Sequence, residues 1–270
     1  MVINAFLRFN DTKKPTKDDI RAFLHSVQTT PNKKNGEAIS IHTQHIYFRS
    51  LKTFFTWMVT EKAIKVNPMS EMKAPRLPKL VITPLNNDDL HNLMVATSGD
   101  RFVDVRNRAL VSIFLDTCVR LEEMSRIKLN DIDMTRDIIT IYGKGNKQRY
   151  LKIGKNAKKA VLSYLMRRDE IQSDSLWLSE ERKPFTARGI QVQIRRLLGQ
   201  IKAHSSKQGA HILRHTGAIL FLRNGGDIFT LQMMLGHSTL EMTRRYLSSL
   251  GVDDLIRVHL KASPMDNIKW

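Results

Sequence analysis

The sequence predicts a mainly α-helical protein in two parts, with one small antiparallel β-sheet in the second part. Apolar residues recur at spacings of three and four over most of the chain. A proline-bearing strap interrupts that pattern at Lys73–Pro84, and a single stretch, 127–153, changes to a period of two. The 270 residues fit one large domain or two ordinary ones and suffice to bury a core without staples. Hydrophobic residues at 41% and charged residues at 26% exclude a disordered composition. No run approaches 18 apolar residues, so no membrane helix is expected. The first residues, MVINAFLRFNDTKK, lack the cationic lead, apolar core and cleavage site of a secretory signal. The one cysteine, Cys118, rules out an internal disulfide and fits a reducing, cytoplasmic compartment.

Thr16 or Asp18 can cap a first helix through about His25. Residues 31–39 read as a polar loop, after which Ser40 opens a long helix to about Thr60. Ile46, Tyr47, Leu51, Phe54, Phe55 and Met58 give it an apolar face, with His42, His45, Arg49, Lys52 and Thr56 opposite. Pro75, Pro78 and Pro84 make the strap extended. The expected limits are a helical domain at 1–73, a linker at 74–84 and a second domain at 85–270. In that second domain, Asn86–Ala96 and Val105–Thr117 read as helices. Three strands follow at Ile127–Leu129, Asp137–Tyr142 and Gln148–Ile153, the last two joined through Gly143-Lys-Gly-Asn-Lys147. Helical periodicity returns at about 156–171, 186–202, 210–224, 228–235, 239–247 and 252–260.

Forty-four Lys and Arg against 26 Asp and Glu leave a net charge of +18. A soluble protein with this surplus usually meets a polyanion, most often nucleic acid, the alternative being a merely basic surface as in some ribosome-associated or secreted proteins. Residues 1–75 carry +6 and residues 76–270 carry +12, with no run of five like charges. A basic folded surface is therefore expected rather than a disordered arm.

Four constellations can carry chemistry. Arg120 and Glu123 lie three residues apart and can pair, as a surface ion pair or as part of a site. In His211-Ile-Leu-Arg214-His215, an imidazole and a guanidinium at the same spacing suit a phosphoryl-like anion, and taken alone read first as the ordinary polar face of a helix. In Leu235-Gly236-His237, the glycine ends one helix and His237 sits in the turn, with Thr239 starting the next. Tyr246 follows nine residues after His237, as a reactive or a core tyrosine. Lys144 sits at a glycine-flanked hairpin tip that can bend over a partner backbone, or is a solvated hairpin lysine. No phosphate-cradling G-x-x-x-x-G-K-[ST] loop occurs. No Cys/His set has zinc spacing, and no carboxylate cluster has the form of a two-metal site, so neither metal nor cofactor is expected.

Taken together, R-x-x-E, a G-K-G hairpin, H-x-x-R-H, and L-G-H followed by Tyr resemble the tyrosine recombinase, or phage integrase, superfamily in order and spacing. The resemblance runs from about residue 2 to residue 260 and is nearest to the short Xer-like and mobile-element members. It implies two domains closing as a C-shaped clamp on double-stranded DNA, a helical core-binding domain and a catalytic domain. It also implies site-specific cutting and rejoining through a 3′-phosphotyrosine and a Holliday junction, without metal or ATP. In that scheme Tyr246 is the nucleophile, Arg120 and Arg214 clamp the phosphate, and Lys144 protonates the leaving oxygen. His211 helps with the tyrosine proton, His237 bonds the phosphate, and Glu123 orients Arg120. Thr186, Arg188, Gln191 and Arg195 lie on the helix that approaches the major groove in the family, with Arg49 and Lys52 as further DNA contacts; phosphate contact or plain solvation is the alternative for each. The amphipathic segment 252–260, apolar through Val252, Leu255, Ile256 and Leu260, would exchange between protomers of a homo-tetramer or else pack on its own domain. Accessory DNA-bending or directionality proteins are compatible further partners.

Two departures stand out. Cys118 and Val119 occupy positions where the family has Gly and then Leu or Met before the first arginine; Cys118 there is a buried inert thiol or an oxidation-sensitive one. The chain also starts partway through the family's first helix, which implies a truncated or reduced DNA-binding domain. A topoisomerase or telomere resolvase would use similar residues, but the linker, the short length and the C-terminal helix speak against it. A non-catalytic integrase relative would be expected to have lost Tyr246 or an arginine, and has lost neither.

Overall fold

Thr16 is the residue that caps the first predicted helix: its hydroxyl accepts from the Asp19 amide while the Asp19 carboxylate accepts from the Thr16 amide at 2.8 Å. The computed structural model describes all residues except Met1, Asp11, Lys13, 32–35, 79–81, Lys144, Asn146, 169–171, 205–208, Pro264, Asn267, Lys269 and Trp270, and the side chains of Leu255, Lys261 and Ala262. The chain divides into two compact units, Met1–Leu80 and Val81–Trp270.

The first unit holds α1 (Val2–Phe9), α2 (Lys17–Thr29) and α3 (Ile41–Thr60). Here α2 runs a turn beyond the predicted end at His25. Ser40 caps α3 by accepting from the Thr43 amide. Phe6 meets Phe23 and Phe55 edge-on at 5.2 and 5.8 Å, around a core completed by Ile20, Phe48, Leu51 and Met69. Ile46, expected on the apolar face, is exposed and Phe48 is buried instead. At 100° per residue Ile46 lies about 140° around the helix from Leu51, outside the buried arc.

The second unit is built around α5 (Phe102–Thr117), which packs against α7 (Lys155–Arg167) and α9 (Ala210–Arg223). Gly217 permits the α5–α9 crossing: a Cβ there would stand 2.2 Å from the Leu115 carbonyl oxygen and 2.9 Å from Cys118 Sγ. Below the crossing, Tyr164 stacks on the buried Trp177 at 5.4 Å. Its hydroxyl donates to the Leu176 carbonyl and accepts from the Leu178 amide, each at 3.0 Å. The helices α4 (Asn87–Ala96), capped by Asn86, and α8 (Ala187–Gln200), capped by Thr186, complete this layer. The end of the strap is fastened to α9. The Leu85 amide donates to the buried Thr216 hydroxyl at 3.0 Å, and His215 Nε2 donates to the Ile82 carbonyl at 2.8 Å.

Among the described residues the sheet has three antiparallel strands in chain order, β1 (Ile132–Asp133), β2 (Ile138–Tyr142) and β3 (Gln148–Lys152). Ile139 pairs with Leu151 and Ile141 with Arg149. The predicted strand at 127–129 is not part of it. Those residues bond instead to a distant segment, Leu129 N to Asp174 O and Leu176 N to Ile127 O, both at 2.9 Å, and Leu129 begins a short 3-10 turn. Three alternating residues are too few to specify a partner.

Three short helices frame the remaining chain: α6 (Leu121–Arg126), α10 (Ile228–Leu235) and α11 (Glu241–Arg244). The helix expected at 239–247 is thus interrupted. The Tyr246 amide bonds three residues back to Thr243 O, and a 3-10 turn, Leu247–Ser249, follows. The last helix, α12 (Val252–Ala262), rests on α9 of its own chain through an Arg223–Asp254 pair at 3.3 Å. Cys118 ends α5 at φ 52°, a left-handed conformation suited to glycine. Burial pushes its thiol up to about 12, so it stays protonated and inert. Among the described residues no helix is long and apolar enough to cross a membrane.

Candidate active site

A helix ends with carbonyls that have no partner within it and carry partial negative charge. At the end of α10, three successive carbonyls each receive an arginine. Arg149 Nε donates to Met234 O at 2.9 Å, Arg214 Nη2 to Leu235 O at 3.0 Å, and Arg120 Nη2 to Gly236 O at 3.4 Å. Gly236 is required twice over. Its φ of 62° is left-handed, and a Cβ would press on Arg149 Nη1 at 3.2 Å. The glycine of the L-G-H motif is therefore where the arginine cluster is assembled.

Arg120 is the cap residue of α6, and Glu123 is its third helical residue. Glu123 accepts from the Arg120 amide at 2.8 Å and from Arg120 Nη1 at 3.1 Å. It also takes a two-pronged bond from Arg149, Nη1 at 2.9 Å and Nη2 at 2.6 Å. Burial alone would raise the Glu123 carboxyl; the bonds from Arg149 and Arg120 outweigh it and hold it at about 2. Arg214 is buried on α9 and donates to the Cys118 carbonyl through Nη1 at 2.5 Å. Burial pulls its pKa down, yet an arginine keeps its proton.

His237 lies in the turn after α10. Nε2 stands 3.3 Å from Arg214 Nη2, and Nδ1 stands 2.9 Å from the Thr243 hydroxyl. Because a guanidinium only donates, Nε2 accepts and Nδ1 carries the proton toward Thr243. Burial, followed by the nearby Arg214, Arg120, Arg245 and Arg149 charges, drives its pKa down to about 4. Tyr246 is 1% exposed. Its ring lies between His215 at 5.2 Å and His237 at 6.5 Å, over a floor that includes Cys118, Ile219, Leu231 and Leu235. Arg245 Nη2 reaches its hydroxyl at 3.5 Å.

The structure thus brings together Arg120, Glu123, Arg214, His237 and Tyr246. His211 lies at the start of α9, one turn before Arg214, and is exposed. Lys144 lies outside the described residues. The hairpin bearing it is closed by the Gly143 amide on Lys147 O at 2.8 Å, with Gly145 at φ 73°. On α8, Arg188 and Arg195 are exposed. Thr186 is the helix cap, and Gln191 Oε1 accepts from the Ala210 amide at 3.2 Å, fastening the start of α9. In the first unit Arg49 is exposed and Lys52 donates to Met72 O at 3.3 Å. Sequence reasoning passed over Arg149, Thr243 and His215. Arg149 did leave a signal: β3 alternates outward and inward, and a charge falls on an inward position beside Leu151. Among the described residues no three His, Cys, Asp or Glu side chains gather to hold a metal ion.

Guanidinia, an imidazole and a phenol gathered at one helix end are groups suited to a phosphate, the kind of site found in proteins that act on nucleic acid. Residues 84–251 match the model of the phage integrase family. The tyrosine recombinase XerC of Thermodesulfovibrio yellowstonii is 29% identical over 94% of this chain and 90% of its own length. Among solved structures, the XerA recombinase shares 29% identity, with 97% and 90% of the chains covered and a TM-score of 0.58. The Tn1549 transposon integrase in complex with transposon right end DNA has the same fold, with a TM-score of 0.74 at 18% identity over 97% and 91%. The chain belongs to the phage integrase family, and with it to the site-specific tyrosine recombinases.

Proposed function

We propose that this recombinase cuts and rejoins duplex DNA through a covalent link between Tyr246 and a 3′-phosphate. The convergence of Arg120, Arg214 and His237 on the turn after α10, with the Tyr246 ring stacked against His237, carries the reading. The Tyr246 oxygen attacks phosphorus, the bond to the 5′-oxygen breaks, and the strand leaves with a 5′-hydroxyl. Lys144 supplies the proton to that oxygen, and His211 takes part in removing the phenol proton. Arg120 and Arg214 donate to the non-bridging oxygens as charge builds on them, a task for planar, permanently charged donors. His237 bonds the same phosphate. Because the phosphotyrosine retains the energy of the broken bond, the reverse attack rejoins DNA without ATP.

Pairs of such exchanges pass through a Holliday junction and call for four active sites. The α12 helix supports exchange between protomers in a tetramer: Val252, Ile256 and Leu260 form an exposed apolar stripe at four-residue spacing. We assign Arg188 and Arg195 on α8 to DNA contact, a reading supported by their shared, exposed face and by the basic charge of both units, which suits a polyanionic partner. The test is a nicked suicide substrate built from the DNA flanking the gene, incubated in EDTA without ATP. A covalent protein–DNA adduct should form on a denaturing gel and vanish in Tyr246→Phe, with DNA binding kept. Adducts that persist in that variant would assign the nucleophile elsewhere.

A further inference from the structure

Arg149 spends every nitrogen of its guanidinium on the protein: Nη1 and Nη2 on Glu123, Nε on Met234 O. Its side chain is 14% exposed against 39% for Arg120. The two arginines share one carboxylate, and each Glu123 oxygen receives one bond from Arg149 and one from Arg120. We infer that Arg149 is a positioning residue for strand cleavage: it occupies Glu123 so that the carboxylate orients Arg120 without capturing it. This rests on the proposed function, in which Arg120 grips the scissile phosphate.

The physical argument is competition. One carboxylate between two guanidinia leaves one unit of positive charge for an incoming phosphate. Without Arg149, a single carboxylate faces a single guanidinium. The bidentate geometry now made with Arg149 becomes available to Arg120, which then donates to Glu123 instead of to the non-bridging oxygens. A lysine at 149 restores the charge but not the fork, so it releases Arg120 only in part. Loss of the Nε bond to Met234 O also frees the end of α10, on which Arg120 and Arg214 are seated.

The experiment measures single-turnover adduct formation on the nicked substrate at saturating protein, with DNA affinity and thermal melting recorded for each variant. R149A should cleave at least tenfold more slowly while binding DNA within about threefold of the wild type. R149K should fall between the two. The double variant R149A/E123A, which removes the competitor, should cleave faster than R149A. Where R149A fails to fold, R149K and R149K/E123Q make the same comparison. Wild-type rates in the folded single variants would overturn the inference. So would a loss that only tracks lost folding or binding, or a double variant no faster than its single parent. A wild-type protein that forms no adduct would instead count against the proposed function. For that case a crystal structure of R149A without DNA still decides: the Arg120 guanidinium should turn onto Glu123 as a two-pronged pair, and an Arg120 that keeps its single Nη1 bond to Glu123 would overturn the inference.

Discussion

At the scale of single residues, the site holds one imidazole neutral among cations. His237 has an ordinary value of 6.5 lowered to about 4 by burial and then by Arg214, Arg120, Arg245 and Arg149. The unfolded chain therefore binds a proton that the folded chain refuses. The stability this group contributes is complete above about pH 6.5 and is lost as the pH falls toward about 4. His237→Gln cannot titrate and should lack this component. Melting temperatures from pH 7.5 to 4.5 should fall more steeply for the wild type than for H237Q, and parallel curves would sink the idea. The neutral form also explains Thr243: a buried hydroxyl accepts from Nδ1 and leaves Nε2 turned toward Arg214. Neither the pKa nor the tautomer can be read from L-G-H alone, because the burial that lowers the pKa first, and the four arginines that add to it, come from other places in the sequence.

Among elements, legibility followed the range of the interactions. The α3 helix with its Ser40 cap, α10 with its Gly236 end and the β2–β3 hairpin all rest on residues within a few positions of one another and all are read correctly; for α2 the sequence leaves Thr16 or Asp18 as the cap, and Thr16 is the one used. The segment 127–129 was misread because its partner, 174–176, lies far along the chain. The helix expected at 239–247 breaks because Tyr246 is drawn inward against His215 and His237, a tertiary demand that periodicity does not carry. The Arg149–Glu123 pair spans 26 residues and belongs to no local motif. The contact between α5 and α9 gives a sharp test. At Gly217→Ala the new Cβ would meet the Leu115 carbonyl oxygen at 2.2 Å, and backbone cannot yield as a flexible side chain does. Helices forced apart in a packed core cost about 1–3 kcal/mol. The urea midpoint of G217A should drop accordingly with its slope unchanged. Because α9 also carries Arg214, adduct formation should fall even at temperatures where the variant stays folded. A midpoint equal to that of the wild type would show that the crossing has slack.

For the molecule as a whole, the described groups of the candidate site are engaged within the chain. The arginines donate to carbonyls, α12 lies on its own α9, and Tyr246, the proposed nucleophile, is packed against His215, His237 and an apolar floor. In the proposed reaction a phenol that is 1% exposed has first to be uncovered, so the attack calls for movement of the 245–250 segment. That segment suits such a step: it is a turn and a short 3-10 helix rather than a continued α-helix, with fewer backbone bonds to break. Tyrosine nitration measures this directly, because the reagent attacks exposed phenolates. Tyr150, on the outer face of β3 and largely exposed, is an internal standard. In the free folded protein Tyr246 should be nitrated at least tenfold more slowly than Tyr150, by peptide mass spectrometry. In urea the two should react alike. Adding the nicked DNA substrate to an Arg214→Ala variant, which can bind but is impaired in cleavage, should speed Tyr246 modification while leaving Tyr150 unchanged. Equal rates in the free protein would mean that the tyrosine already samples the open position. Release of the tyrosine would then not limit the proposed attack.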